Sequence, residues 1–311
     1  SIPDRICKRL TMQELPFHRL LIGLDLTSSD SSLLNYIDHV LPYIPATSIH
    51  FVHVYPSLLT DDSKEELEGK MTKAMHDLVE QHLTIDDVEL HYSIHEGSPS
   101  EEILKTASSQ KADLIFLMNR VGLKGSALLQ DLANKSNASL WMVPEGYDHF
   151  QFTKFYIPLQ FNAHNAHTLR LAYGLDEADK GYNLFVCEHL YEVPSGYHYS
   201  GKSLEEYKSI LEEQRQHDFH RFVEDNNLGA LGLTCNVHSV DGMSIAESIY
   251  AQSRKMGADL ILISARGRSK VSSFLLGSVT NELVLLDPVA PMILVKNPKG
   301  NMGLWQAIQE I

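Results

Sequence analysis

The sequence predicts an α/β protein made of two doubly wound, parallel five-stranded sheets. Its 311 residues are too many for one ordinary core and fit two domains of about 150 residues each. Short, nearly continuous apolar runs alternate with helical segments along the chain, the pattern of parallel strands covered by helices on both faces. The strongest organisational signal is internal. Ala112-Asp113-Leu114-Ile115, with Arg120 following, recurs as Ala258-Asp259-Leu260-Ile261 with Arg266. The offset from 112 to 258 is domain-sized, so the chain reads as a tandem duplication.

In the first half Leu20 to Leu26 is a buried strand, and Thr27-Ser28-Ser29-Asp30 caps a helix reaching about Val40. Ile49 to Tyr55 is the second strand, Lys64 to Gln81 a long polar helix, and Val88 to His95 the third strand. Ser98-Pro99-Ser100-Glu101-Glu102 opens the next helix with an early proline and an acidic first turn. Leu114 to Met118 and Leu140 to Val143 are strands four and five, with a helix between them.

The second half repeats this order from Thr153 to Lys296, with strands at Phe155 to Phe161, Leu184 to His189, Leu233 to Val240, Leu260 to Ser264 and Met292 to Lys296. A charged helix, Leu204 to Val223, follows an irregular Tyr/Gly/Ser stretch from Tyr191 to Gly201 and reads as a solvent-facing cover or a partner-docking face. Pro144-Glu145-Gly146-Tyr147 is the linker, giving domains at 1–146 and 147–298 and a tail at 299–311.

Composition narrows the function. With 43% hydrophobic and 21% charged residues the chain is ordinary globular protein. A formal net charge of -14 opposes broad binding to nucleic acid, so any phosphate must be held locally. No apolar run is long enough to span a bilayer, and Ser1 to Pro16 is too charged for a signal peptide. Three cysteines, Cys7, Cys187 and Cys235, form no disulfide framework. Together these lead to the expectation of a cytoplasmic protein without membrane contact.

The site reading rests on Leu260-Ile261-Leu262-Ile263-Ser264-Ala265-Arg266-Gly267, which continues through nine residues to Gly277-Ser278-Val279-Thr280. A strand, a small-residue turn and a Gly-Ser turn opening a helix make a nest of backbone N–H groups, which attracts phosphate.

On these residues the chain resembles the universal stress protein family in its tandem form, over nearly all of residues 18–296. The nucleotide-binding members carry Gly-x2-Gly-x9-Gly-Ser/Thr after the fourth strand, and here the second half reads Ser264-x2-Gly267-x9-Gly277-Ser278. The end of the family's first strand is met by Pro158-Leu159-Gln160-Phe161, with Gln160 where an aspartate is usual. The resemblance implies a Rossmann-like, adenine nucleotide alpha hydrolase-like fold with strand order 3-2-1-4-5 in each half. The ligand crevice then lies where strand order reverses, between strands one and four.

The resemblance further implies ATP or another adenine nucleotide in the C-terminal half. Pro158, Leu159, Gln160 and Val186 would hold adenine and ribose, while Ser264, Arg266, Gly267, Gly277, Ser278, Val279 and Thr280 surround the phosphates. No metal is expected beyond a Mg ion carried by the nucleotide. Ser264 adds a side chain where close backbone approach is wanted. In the first half Asp25 stands at the aspartate position, but Met118-Asn119-Arg120-Val121-Gly122-Leu123-Lys124-Gly125-Ser126 has lost about six loop residues, so Asp25 reads as a strand-end or capping residue.

Other clusters read as structural. Cys187 and His189 share a strand face, but Cys235 and His238 are three apart and point oppositely, which argues against zinc. His217 and His220, at i and i+3, fit a solvated helix. Ser269, Lys270, Ser272 and Ser273 lie in the loop without a paired histidine, so no catalytic constellation is found. The apolar fifth strands would be sheet edges that need covering, and the resemblance implies that they pair, as they do across the family's dimer, into a pseudo-dimer within one chain, while leaving room for a homodimer. The expectation is a non-catalytic adenine-nucleotide-binding stress regulator. The alternatives are a nucleotide-free scaffold acting through protein contacts and a weak ATPase.

Overall fold

The computed structural model describes residues 15–57, 64–85, 87–120, 123–178, 184–240, 242–265 and 277–296. The first half runs β1 (Arg19–Leu24), α1 (Asp30–Val40), β2 (Ser48–Tyr55), α2 (Lys64–His82), β3 (Glu89–Glu96), α3 (Pro99–Ser109), β4 (Leu114–Asn119), α4 (Leu123–Lys135) and β5 (Ser139–Pro144). The second half follows with β6 (Lys154–Pro158), α5 (Ala163–Ala178), β7 (Leu184–Tyr191), α6 (Leu204–Asp225), β8 (Cys235–Ser239), α7 (Ile245–Met256), β9 (Leu260–Ser264), α8 (Ser278–Leu285) and β10 (Met292–Val295).

The two expected sheets are one. Ten strands run in the order β3-β2-β1-β4-β5-β10-β9-β6-β7-β8. Pairing is parallel within each half, and the halves join where β5 meets β10 antiparallel, Trp141 opposite Ile293. Two apolar fifth strands, each with an open edge, satisfy one another's backbone groups.

Alternation along the strands sends side chains to two cores, one per face. One core holds Leu20, Ile22, Phe116, Trp141, Phe155 and Ile157 under α1, α2, α5 and α6. The other holds Leu21, Ile115, Leu140, Tyr156, Ile261 and Ile263 under α3, α4, α7 and α8. Both clusters contain residues of both halves, so the junction is continuous core. Trp141, fully buried, stacks on Phe116 at 4.9 Å and edges onto Tyr36 at 6.2 Å, and the linker's Phe152 lies between Trp141 and Phe155.

The repeated Ala-Asp-Leu-Ile turns out to be scaffolding. Asp259 Oδ2 accepts from the Thr153 and Lys154 amides at 2.9 and 3.0 Å, and Asp113 accepts from the Arg19 amide at 3.1 Å. Each aspartate thus anchors the start of a half's first strand to the start of its fourth, fixing the pair of strands whose far ends form the crevice.

Candidate functional site

A cavity of about 230 Å³ opens at the carboxyl ends of β6 and β9, lined from four directions. Pro158, Leu159 and Gln160 come from the end of β6, Ile263 and Ser264 from β9, Ile245 and Ile249 from α7, and Gly277, Ser278, Val279 and Thr280 from the start of α8. The lining combines aliphatic side chains with polar groups, a combination suited to a ligand with a flat apolar body and a hydrogen-bonding tail.

The turn out of β6 is held by Asn165. Its Oδ1 accepts from the Gln160 amide at 2.8 Å, and its Nδ2 donates to Ser264 Oγ at 2.7 Å. Asn162 in turn accepts the Asn165 amide at 3.1 Å, capping α5. Phe161 takes a left-handed φ of 55° to make the turn, so β6 ends at Pro158 rather than running to Phe161 as expected. Ser264 Oγ also lies 2.9 Å from the Thr168 hydroxyl on α5. The extra side chain that serine brings is therefore tied to α5 while still lining the cavity.

Among the described residues, no side chain caps the start of α8. Gly277 is its N-cap and supplies no side-chain bond, and the first amides of a helix have no intrahelical acceptor. Gly277 has φ of -55°, which any residue adopts, and a Cβ built there meets nothing within 4 Å. Among the described residues, then, nothing requires glycine at this position.

Below the cavity, the Tyr156 hydroxyl donates to Glu188 Oε2 at 2.7 Å in the buried interior. Burial, reinforced by that carboxylate, holds the Tyr156 phenol far above its usual range. His238 Nε2 approaches the other oxygen of Glu188 at 3.6 Å.

Eight of the expected site residues, Pro158, Leu159, Gln160, Ser264, Gly277, Ser278, Val279 and Thr280, line this one cavity. Arg266 and Gly267 fall outside the described residues, as do Ser269, Lys270, Ser272 and Ser273. Val186 is displaced: it pairs with Tyr156 in mid-strand and packs in the core. Because β7 continues to Tyr191, the β7 residue that lines the cavity is Leu190. Sequence reasoning missed Asn162, His164, Asn165, Ile245 and Ile249. A usable signal existed for Asn165, which follows Gln160 by the same five positions as Asp30 follows Asp25.

The cysteines and histidines weighed for zinc have other surroundings. Cys187 and Cys235 enter the same core, His189 Nδ1 bonds the Leu159 carbonyl at 2.8 Å, and His238 turns to Glu188. Among the described residues no group of three or more His, Cys, Asp or Glu side chains is placed to hold a metal.

In the first half the corresponding place carries an ion-pair network. Arg120 Nη1 lies 2.5 Å from Asp25 Oδ2 and its Nε 3.3 Å from Glu145 Oε1, while its Nη2 donates to Thr27 Oγ1 at 2.9 Å. The capping role expected of Asp25 belongs to Asp30, whose Oδ2 accepts from the Asp25 and Thr27 amides at 3.0 and 3.2 Å. Asp25 is occupied by arginine instead. Burial raises the Asp30 carboxyl above its ordinary range despite those amides.

The sequence profile of the universal stress protein family matches residues 16–144 and again 164–296. The chain belongs to the universal stress protein family. The first matched segment spans β1 to β5 and the second runs from α5 to β10, so this universal stress protein has the tandem arrangement. Among solved structures, a universal stress protein from Archaeoglobus fulgidus DSM 4304 is 15% identical with a TM-score of 0.58, covering 93% of this chain and 98% of that one. A functionally unknown protein from Pseudomonas aeruginosa PAO1 gives 11% and 0.59, covering 96% and 99%. A third, from Pseudomonas aeruginosa UCBPP-PA14 and described as a universal stress protein, gives 12% and 0.58 over 95% and 98%. At these identities the likeness is one of fold. No curated protein matches the sequence significantly. Among the described residues no helix is long and apolar enough to cross a membrane.

Proposed function

We propose that this universal stress protein is a non-catalytic, cytoplasmic regulator that binds adenine nucleotide, with ATP as the reference ligand, in the cavity of its C-terminal half. The N-terminal half acts as its structural partner. The observation that carries this reading is the convergence of the β6 turn, the end of β9 and the uncapped start of α8 on one cavity. The aliphatic wall of Leu190, Ile245, Ile249 and Ile263 suits a purine, and the free amides of α8 suit a phosphate. The open space at Gly277 lets that phosphate reach the backbone. A Mg ion would be held by the nucleotide's own phosphates, since no carboxylate is among the described lining residues. Among the described lining residues the only side chain of general-base type is His164, with no carboxylate in the lining to orient it, which favours retention over turnover.

Calorimetric titration of the full chain with ATP, AMP and adenosine tests this. Saturable one-to-one binding is expected, abolished by the double variant Gly277→Val, Ser278→Ala with an unchanged circular dichroism spectrum. Absence of binding by all three ligands would favour the nucleotide-free scaffold. Multiple-turnover phosphate release above background would instead make the protein an ATPase.

A further inference from the structure

We propose that Cys187 and Cys235 form a redox-modification site, a dithiol that closes to an intramolecular disulfide between β7 and β8 when met by an oxidant of the small-molecule disulfide class. The parallel register places Cys187 directly beside Cys235. Both side chains enter the same core cluster, so the two thiols project from one face of the sheet. Neighbouring strands lie about 4.7–4.9 Å apart, inside the roughly 4.4–6.8 Å of Cα separation that a disulfide spans. The Cβ separation of such a pair follows the strand spacing and lies a few tenths of an ångström beyond the roughly 3.5–4.5 Å found in disulfides, so one strand must move inward by about 0.5–1 Å. β8 is free to do so. It is the last strand of the sheet and pairs with β7 alone. It enters from a short helical turn at Gly229–Leu231, followed by Gly232 with φ of 60°.

In the closed fold the pair is protected. Both thiols are buried, and burial pushes the Cys187 thiol up to about 12 and the Cys235 thiol upward as well, which suppresses the reactive thiolates. Reaction therefore follows local opening of the β8 edge, where Cys235 O is held by Gln216 Nε2 at 2.9 Å. Edge strands open at lower cost than the whole fold. On opening, the Cys235 thiol gives its proton to water and the thiolate attacks one sulfur of oxidised glutathione. The reagent's S–S bond breaks, a mixed disulfide forms, and one glutathione leaves as thiolate and takes up a proton. Cys187, likewise deprotonated, attacks the Cys235 sulfur and expels the second glutathione. Two protein thiols have lost two electrons and two protons, and one oxidised glutathione has become two thiols.

The new bond would lie three residues before Leu190, in the strand that carries it to the cavity. The step does not depend on what the cavity binds.

The experiment uses the full chain carrying Cys7→Ser, which leaves only the two cysteines in question. The protein is equilibrated in glutathione buffers from fully reduced to fully oxidised, alkylated in denaturant, and read by intact mass and peptide mapping. The expected result is loss of two hydrogens without a glutathione adduct, a peptide joining β7 to β8, reversal by dithiothreitol, and a higher urea midpoint for the bridged form. Adding Cys187→Ser or Cys235→Ser should replace the bridge by a mixed disulfide. Two alkylatable thiols at the most oxidising ratio, a persistent mixed disulfide in the two-cysteine chain, or a bridge between chains would each overturn the proposal.

Discussion

The Arg120 guanidinium meets the Asp25 carboxylate at 2.5 Å across the carboxyl ends of β1 and β4, the place in the first half that corresponds to the open cavity of the second. The pair is half-exposed, with 29% of the Arg120 side chain and 54% of the Asp25 side chain accessible. Such pairs contribute about 0–1 kcal/mol. Arg120→Ala should therefore shift the urea midpoint by the equivalent of less than about 1 kcal/mol and leave nucleotide titration of the C-terminal half unchanged. Loss of that binding would show that the two crevices are coupled.

Asn165 joins the β6 turn to Ser264 and is itself buried. Asn165→Ala leaves the Gln160 amide without its partner and should cost about 1–2 kcal/mol, while weakening ligand binding. Asn165→Asp should cost much less, since the Ser264 hydroxyl can donate to a carboxylate, and Asp30 performs the same backbone task in the first half. Thermal unfolding of both variants decides the matter. Equal losses would mean that packing volume, not hydrogen bonding, is what the position supplies.

Trp141 lies at the seam, opposite Ile293 of the other half, and donates to the Tyr36 hydroxyl at 3.3 Å. Trp141→Ala should destabilise by about 3–5 kcal/mol. Because both halves share its surroundings, urea unfolding followed by far-ultraviolet dichroism should remain a single transition at lower denaturant. Two separated transitions in the wild-type chain would show that the halves unfold independently.

Two groups partly withdrawn from solvent give opposing pH dependences. Burial raises Asp113 from 3.8 to about 6, against the pull of the Arg19 amide and guanidinium. Its stabilising contribution is present below about pH 4 and is lost as pH rises through 6. Burial, with His91 and His95 nearby, lowers His50 from 6.5 to about 4. Its contribution is present above 6.5 and is lost as pH falls through 4. Relative to wild type, Asp113→Asn should gain stability from pH 4 to 6, and His50→Gln should lose it from pH 4 to 6.5. Each slope is at most about 1.4 kcal/mol per pH unit. Urea midpoints across that range check both signs, and parallel curves for wild type and variant would refute the assignment.

The strands were legible because each is a short apolar run bounded by polar turns, and the repeated Ala-Asp-Leu-Ile set the two halves in register. Strand ends were less so. Phe161 reads as strand by composition, yet a left-handed turn removes it, and β7 outlasts His189, so Leu190 takes the place assigned to Val186. The residues after β9 could be named from their glycines, since such a motif is local. Ile245 and Ile249 could not, because which crevice a helix covers depends on how the chain crosses over the sheet. The role of Arg120 was hidden for a similar reason: its partners Asp25 and Glu145 are distant in sequence and meet only at the sheet's end.

The antiparallel seam of β5 and β10 also limits how copies of this protein can assemble. Each fifth strand has spent its edge on the other, so a second copy cannot extend the sheet at its middle. Among the described strands only the flanks, β3 and β8, have an unshared side. Among the described strands, a sheet continued into a second copy would have to start from one of those flanks, far from the joint inside the chain.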